Sequence, residues 1–212
     1  MNKKLITSLI FIVCLFSNSL FAGGKSTDTI SDLTPWKGYS TSVIELFQNE
    51  SGEKFFEEMV KNLPNGYTNR MAKDFVYDLY ATKINSLSVI DENTITINDK
   101  MTGDYAYIAS ISVARGEKTV TWHIFKTDAQ AMIHAGFKYI LFIPFDQHGP
   151  DTLRHSHFRF GNENFDFLTT DPSLQSWWPT LYQPSEVSEA KAIEQMTRPK
   201  LAKKLAAMLK NQ

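Results

Sequence analysis

Residues 104–126 have the sequence DYAYIASISVARGEKTVTWHIFK, and this stretch determines which class of fold the chain can adopt. It contains two runs that are rich in β-branched and aromatic residues, Asp104–Val113 and Lys118–Lys126. The turn residues Arg115 and Gly116 separate them. Such runs favour strands, and so short a connection favours antiparallel pairing. The stretch therefore predicts a β-hairpin at the centre of the chain.

Further strand-like runs lie on both sides of this hairpin. They share a high content of Ile, Val, Thr, Tyr and Phe and are bounded by turn residues: Lys83–Ile90, Asn93–Asn98, Phe137–Phe145, Arg154–Phe160 and Asn164–Leu168. Six or seven strands in sequence form an antiparallel meander, which rolls into a small barrel or packs as a sandwich. The residues alone leave these two architectures open.

Amphipathic helices are predicted before and after the strands. One begins near Ser51, which has the character of a capping residue, and a second covers about Thr68–Tyr80. A third is expected over Ser185–Met196. Each carries an apolar stripe at helical spacing, which is typical of a face that packs on a core. The chain is therefore expected to be mainly β with flanking helices, an α+β fold.

The first 22 residues have the pattern of a secretory signal peptide. Lys3 and Lys4 precede the apolar run Leu5–Phe16, and Phe21 and Ala22 end the segment. The apolar run is too short to span a bilayer comfortably, and no later stretch is long and apolar enough to do so. We therefore expect an exported, soluble protein of the periplasm.

The remainder of the chain divides into three parts. Residues 23–35 are polar and form a flexible leader, residues 36–197 form the packed domain, and residues 198–212 form a basic amphipathic tail. The tail is expected to pack on the barrel or to fray, with an anionic membrane surface as the other alternative.

Charge and cysteine content exclude several classes of protein. Without the signal segment the chain has 20 basic and 23 acidic residues, a net charge of about −3 that gives no attraction for nucleic acid. The only cysteine, Cys14, lies in the segment that is removed. The mature domain therefore has no disulfide, and its own core or a ligand must stabilise it.

Three of the five histidines lie within ten positions: His148, His155 and His157. Alternate side chains of a strand emerge on one side, so His155 and His157 lie about 6 to 7 Å apart on the same face. If the runs 137–145 and 154–160 pair, His148 returns to the same rim. Three imidazoles suit Zn²⁺ and also Cd²⁺, Cu²⁺, Ni²⁺ and Co²⁺, whereas Mg²⁺ and Ca²⁺ prefer oxygen.

Two carboxylates, Asp146 and Glu163, are near enough in sequence to supply a fourth oxygen ligand or a hydrogen bond to a ligand. His123 and His134 are interpreted as ordinary core or surface histidines and have no assigned role. Three nitrogens leave a coordination position open, which serves a metal carrier or a hydrolytic metalloenzyme equally well. A lipocalin-like binder of an apolar molecule is a third alternative.

Sequence motifs favour one kind of metal protein. The zinc-peptidase motif H-E-x-x-H is absent, and a cupin would need a further histidine downstream. Instead D-Q-H at 146–148 is followed by H-S-H-F-R-F-G-N at 155–162. The chain also contains W-K-G-Y at 36–39, a hairpin sequence at 80–97 and W-W-P-T-L-Y at 177–182. Together these motifs resemble the ZinT (YodA) family of bacterial periplasmic zinc- and cadmium-binding proteins.

The resemblance implies a lipocalin-like (calycin) antiparallel β-barrel with a metal near its mouth. It places the metal-binding histidines at His148, His155 and His157. It further implies a binding protein for zinc homeostasis, with the solute-binding protein of a zinc importer as partner. No catalytic residue is assigned, so an enzyme is not expected, and a cupin-like or hydrolytic metalloenzyme is the alternative function.

Overall fold

The computed structural model describes residues 30–115 and 118–211. The predicted signal peptide at residues 1–22 and the first part of the predicted leader lie outside these ranges. Within the described residues, nine strands form a single antiparallel sheet: β1 (Gly38–Ser42), β2 (Ser86–Val89), β3 (Thr94–Ile97), β4 (Met101–Asp104), β5 (Ala106–Arg115), β6 (Lys118–Lys126), β7 (Tyr139–Phe142), β8 (Ser156–Gly161) and β9 (Thr180–Tyr182).

Across the sheet the strands follow the order β4-β3-β2-β1-β9-β8-β7-β6-β5, and the sheet curls on itself. The two outermost strands, β4 and β5, are consecutive in the chain, with only Tyr105 between them. Tyr105 is buried, and its hydroxyl donates to the carbonyl of Phe137 at 2.7 Å. The result is a half-barrel, which decides between the two architectures that the sequence left open.

Most of the predicted strands are confirmed. β2, β3, β5, β6, β7 and β8 lie within or almost within the runs that the sequence analysis identified. Three short strands, β1, β4 and β9, were not predicted. β4 follows a tight turn in which Asn98 and Asp99 both have positive φ, and it is only four residues long.

One predicted strand, Asn164–Leu168, is wrong. The segment forms helix α4 (Phe165–Thr170), because the Asn164 side chain accepts a hydrogen bond from the backbone of Phe167 and caps the helix. Leu168 is then buried while Phe167 stays exposed. An asparagine cap satisfies an otherwise unpaired N–H at a helix start, and this outweighs the β preference of the phenylalanines.

The interior of the curl is built around Trp36, which is 2 % exposed. Its ring stacks on Phe142 at 5.1 Å and meets Phe125 edge-on at 5.7 Å. Its indole N–H donates to the carbonyl of Ile143 and to the hydroxyl of Ser156, both at 3.2 Å. The tryptophan therefore fixes β7 and β8 from inside the sheet.

Four of the remaining described helices pack as a second layer: α1 (Glu50–Lys61), α2 (Asn69–Tyr80), α5 (Glu189–Met196) and α6 (Pro199–Lys210). The short helix α3 (Gln130–His134) instead buries Met132 in the interior of the curl. Short 3-10 turns lie at Thr34–Trp36, Val43–Phe47 and Pro172–Leu174. α1, α2, α5 and α6 share one hydrophobic cluster that also contains Leu153 and Tyr182. No helix in the described ranges is both long enough and apolar enough to cross a membrane.

The two ends of the predicted domain are packed. Leu33 is fully buried, and its N–H donates to the carbonyl of Glu92 at 2.9 Å, so the packed region begins before Trp36. At the other end, the predicted tail is helix α6, whose Ala202 and Leu205 are buried in the helical cluster. The tail therefore packs on helices rather than on the sheet.

The start of α1 differs from the sequence-based prediction. The cap is Asn49, whose side chain accepts hydrogen bonds from the backbone of Ser51 at 2.9 Å and Gly52 at 3.2 Å. Ser51 itself lies inside the first turn. Asparagine at this position offers an acceptor to two N–H groups that the helix leaves unpaired.

We predict that Asn49→Ala lowers the free energy of unfolding by about 1 kcal/mol, because those two N–H groups lose their acceptor. Ser51→Ala is the matched control and should change it by less than about 0.5 kcal/mol. Urea denaturation followed by circular dichroism measures both values. A larger loss for Ser51→Ala than for Asn49→Ala would contradict the assigned cap.

Candidate metal centre

The three clustered histidines lie on the hairpin that joins β7 to β8. Asp146 and His155 form a bridge of two backbone hydrogen bonds, at 2.9 and 3.0 Å, which extends the hairpin beyond the named strands. Between them the chain turns at Gly149, whose φ of +150° favours glycine. The bridge therefore places Asp146 directly across from His155, and it brings His148, two residues further along, to the same end of the hairpin.

Alternation along β8 separates the core from the histidines. Ser156 and Phe158 point into the curl, where Ser156 bonds to Trp36 and Phe158 joins the interior cluster. His155 and His157 must therefore point to the opposite face. The resemblance implies a site near the barrel mouth, whereas the rings lie on the outer face of β8, on the side of the helical layer.

The imidazole rings are neighbours. The ring centres of His148 and His155 are 5.3 Å apart, and those of His155 and His157 are 4.9 Å apart. Trp178 closes the other side of the cluster, with its ring centre 5.2 Å from that of His157. The structure therefore brings together all three histidines that the sequence singles out.

Hydrogen bonds define the tautomer of the two strand histidines. Nδ1 of His155 lies 2.8 Å from the carbonyl of Leu153, which can only accept, so Nδ1 carries the proton. Nδ1 of His157 lies 2.8 Å from the hydroxyl of Thr180. That hydroxyl donates its own proton to the carbonyl of Trp178 at 2.8 Å, so it accepts from His157. Both rings therefore present an unprotonated Nε2.

The Nδ1 atom of His148 also has a polar partner, but at a longer distance. Nδ1 of His148 lies 3.4 Å from the Asp146 carboxylate, and the His148 side chain is 62 % exposed. A carboxylate next to Nδ1 favours a proton there and directs Nε2 away from it. Asp146 therefore orients a histidine, which is one of the two roles that the sequence analysis left open for it.

Burial keeps the strand histidines neutral. It lowers the pKa of His157 well below the ordinary value, and the charges of His155, His148, Lys204 and Arg159 lower it further. Burial also lowers the pKa of His155, an effect that the bond to Leu153 partly offsets. A neutral imidazole is the form that coordinates a metal ion.

The fourth predicted ligand does not reach the cluster. Glu163 lies beyond Gly161, at the far end of β8 from His155. The strand from His157 to Gly161 alone spans roughly 13 Å at 3.3 Å per residue, whereas ligands sit about 2 Å from an ion. A strand carries its later residues away from the site, so the prediction of Glu163 as an oxygen ligand is not supported by the fold.

The site is not closed around a common point. Among residues 30–115 and 118–211, no group of three or more His, Cys, Asp or Glu side chains is already arranged to hold a metal ion. The chemistry of the donors nevertheless fits a transition metal, because three adjacent imidazoles include two whose Nε2 atoms are unprotonated. His148 is the exposed member of the three.

The other two histidines lie elsewhere. His123 is 8 % exposed, bonds through Nδ1 to Ser110 at 2.8 Å and faces Trp36. His134 is exposed at the end of α3. Sequence reasoning missed Thr180 and Trp178 as supports of His157. The W-P-T motif contains both, but only the pairing of β8 with β9 reveals the contact.

A curled antiparallel sheet with flanking helices belongs to the lipocalin-like class of β proteins. The sequence model of one family in this class, described as ZinT (YodA) periplasmic lipocalin-like zinc-recruitment, matches residues 17–198. The chain therefore belongs to the ZinT (YodA) family, as its motifs indicate. No curated protein sequence matches the chain.

Solved structures share the fold. The Zn(II)-bound ZinT-like domain of Streptococcus pneumoniae AdcA is 20 % identical and superposes with a TM-score of 0.56, covering 80 % of this chain and 93 % of that domain. Zn(II)-bound AdcA from the same organism is 18 % identical, with a TM-score of 0.55. The match covers 82 % of this chain but only 35 % of AdcA. At this identity the likeness concerns the fold alone.

We predict that His155 and His157 are Nδ1–H tautomers at pH 7.5 in the metal-free protein. Long-range proton–nitrogen NMR distinguishes the protonated from the unprotonated ring nitrogen. Thr180→Val removes the acceptor of His157 with little change in shape and should disturb only that ring. An Nε2–H tautomer of His157 in the parent protein would contradict the assignment.

We also predict that the free energy of unfolding of the metal-free protein falls as the pH is lowered below about 6.5. Below this pH His157 is protonated in the unfolded chain but not in the folded protein. The free energy of unfolding therefore changes with pH, and the contribution of His157 to that slope is at most about 1.4 kcal/mol per pH unit. His157→Gln should reduce the slope between pH 6.5 and 5.5. An unchanged slope in denaturation series would contradict a lowered pKa for His157.

Proposed function

We propose that the protein recruits Zn²⁺ in the periplasm and holds it through Nε2 of His148, His155 and His157. The observation that carries this proposal is the pair of hydrogen bonds that fixes Nδ1 of His155 and His157 and leaves both Nε2 atoms available. Membership of a family described as zinc-recruitment supports the choice of metal. The Zn(II) in the ZinT-like domain of AdcA supports it too.

The ligand set suits transition metals of borderline softness. Imidazole nitrogens suit Zn²⁺, and Cd²⁺, Cu²⁺, Ni²⁺ and Co²⁺ are accepted by the same donors, whereas Mg²⁺ and Ca²⁺ require oxygen. Three protein ligands leave the fourth tetrahedral position to water or to a ligand from another molecule. Such an open position allows an incoming donor to bind the ion before the histidines release it.

Capture proceeds in two steps in this proposal. His155 and His157 form a rigid, neutral pair, because the bridge at His155, strand β8 and their Nδ1 bonds hold them. His148 lies on the exposed turn and swings onto the ion that the pair has bound. Lowered pKa values keep both imidazoles neutral at neutral pH, so the ion does not have to displace a proton from Nε2.

The proposed role is binding and transfer rather than catalysis. The family description names recruitment of zinc and no reaction. The proposed partner is the solute-binding protein of a zinc importer. The presence of a ZinT-like domain within the longer chain of AdcA, itself Zn(II)-bound, supports a partner that also binds zinc.

We predict that replacing both His155 and His157 by Ala lowers Zn²⁺ affinity by more than about 100-fold, since losing even an outer partner of a ligand typically costs 10- to 100-fold. Titration calorimetry with a competing chelator measures the change. His134→Ala is the matched control, because it removes an exposed histidine that lies outside the cluster. Equal affinity of the double variant and the parent protein would reject the site.

A further inference from the structure

Helix α6 lies wholly beyond the region that the family model matches, which ends at residue 198. The helix nevertheless packs against the turn that carries the histidines. Two contacts make this connection, one at Arg198 and one at Leu153.

The first contact joins the start of α6 to the turn. Arg198 is the residue before the helix, and its guanidinium donates to the carbonyl of Asp151 at 2.6 Å. Its own carbonyl accepts from the backbone of Leu201 and Ala202 at 3.0 and 3.2 Å, so its backbone is fixed by the helix. A hydrogen bond from a charged donor is stronger than one between neutral groups. The bond therefore anchors the turn between His148 and His155 to α6.

The second contact is hydrophobic. Leu153 is 3 % exposed and belongs to the cluster that contains Ala202, Leu205 and Ala206 of α6. The carbonyl of Leu153 is the acceptor for Nδ1 of His155. Packing of this leucine against the helical layer therefore sets the position of the atom that orients a proposed metal ligand.

We propose that α6 is a positioning element of the metal site, and that Arg198 holds the turn from His148 to His155 in the arrangement that binds the ion. The inference rests on the proposed function. Without the hydrogen bond from Arg198 to the carbonyl of Asp151, the turn must be ordered again each time an ion binds, so the affinity falls although every proposed ligand is still present.

The test compares variants of the signal-free chain by zinc titration with a competing chelator. Arg198→Gln should bind Zn²⁺ about tenfold more weakly, which is the usual effect of losing a group that positions a ligand. Lys200→Gln removes the same charge two residues further on and should bind like the parent protein. Binding of Co²⁺, followed by its visible absorption, reports whether the geometry around the ion changes in Arg198→Gln, an effect that lower stability alone does not produce.

Outcomes separate this inference from the proposed function. If the parent protein does not bind zinc, the proposed function fails. If the parent protein binds and Arg198→Gln binds equally well with the same Co²⁺ spectrum, or if Lys200→Gln loses as much affinity, the role of Arg198 is rejected. Should Arg198→Gln not fold, Arg198→Met decides, because it keeps an apolar stem that packs but has no donor for the carbonyl of Asp151. Weaker binding by a folded Arg198→Met supports the inference, and parental affinity overturns it.

Discussion

Side chains of β8 point alternately to two faces of the sheet, and both the core and the histidine cluster follow from this. Ser156 and Phe158 face inward. The indole N–H of Trp36 donates to the hydroxyl of Ser156, and this bond fixes the register of β8. A slip of one residue would turn His155 and His157 into the interior of the curl and move Phe158 to the outer face. The tryptophan inside the curl therefore keeps the proposed ligands on the outer face.

The histidines are held by groups that stabilise the fold in any case. Thr180 lies on β9 and pairs with His157 across the sheet, and the carbonyl of Leu153 belongs to a residue of the helical core. Desolvation of imidazole normally disfavours its charged form. In the proposed site the same effect favours binding, because an imidazole that stays unprotonated keeps a lone pair for a metal ion. Burial and metal chemistry thus favour the same protonation state.

Local patterns were sufficient for much of the fold and for the identity of the three histidines. Period-two runs located β5 and β6, and the H-x-H spacing placed His155 and His157 on one face. Pairings between distant strands could not be predicted from the sequence. β9 is three residues long, and its Thr180 gains meaning only from pairing with β8. Glu163 is near the histidines in sequence but distant along the strand, because the rise per residue of an extended strand is large, about 3.3 Å.

The location of the cluster, where sheet and helices meet, has a consequence for affinity. His155 and His157 are held by the sheet, whereas His148 belongs to a turn. The bridge at Asp146, the packing of Leu153 and the hydrogen bond from Arg198 to the carbonyl of Asp151 anchor this turn. A ligand on such a turn binds with an entropic cost that the anchors set. In the proposed site, the two fixed rings therefore provide most of the affinity, and the firmness with which the helical layer holds the third ring adjusts it.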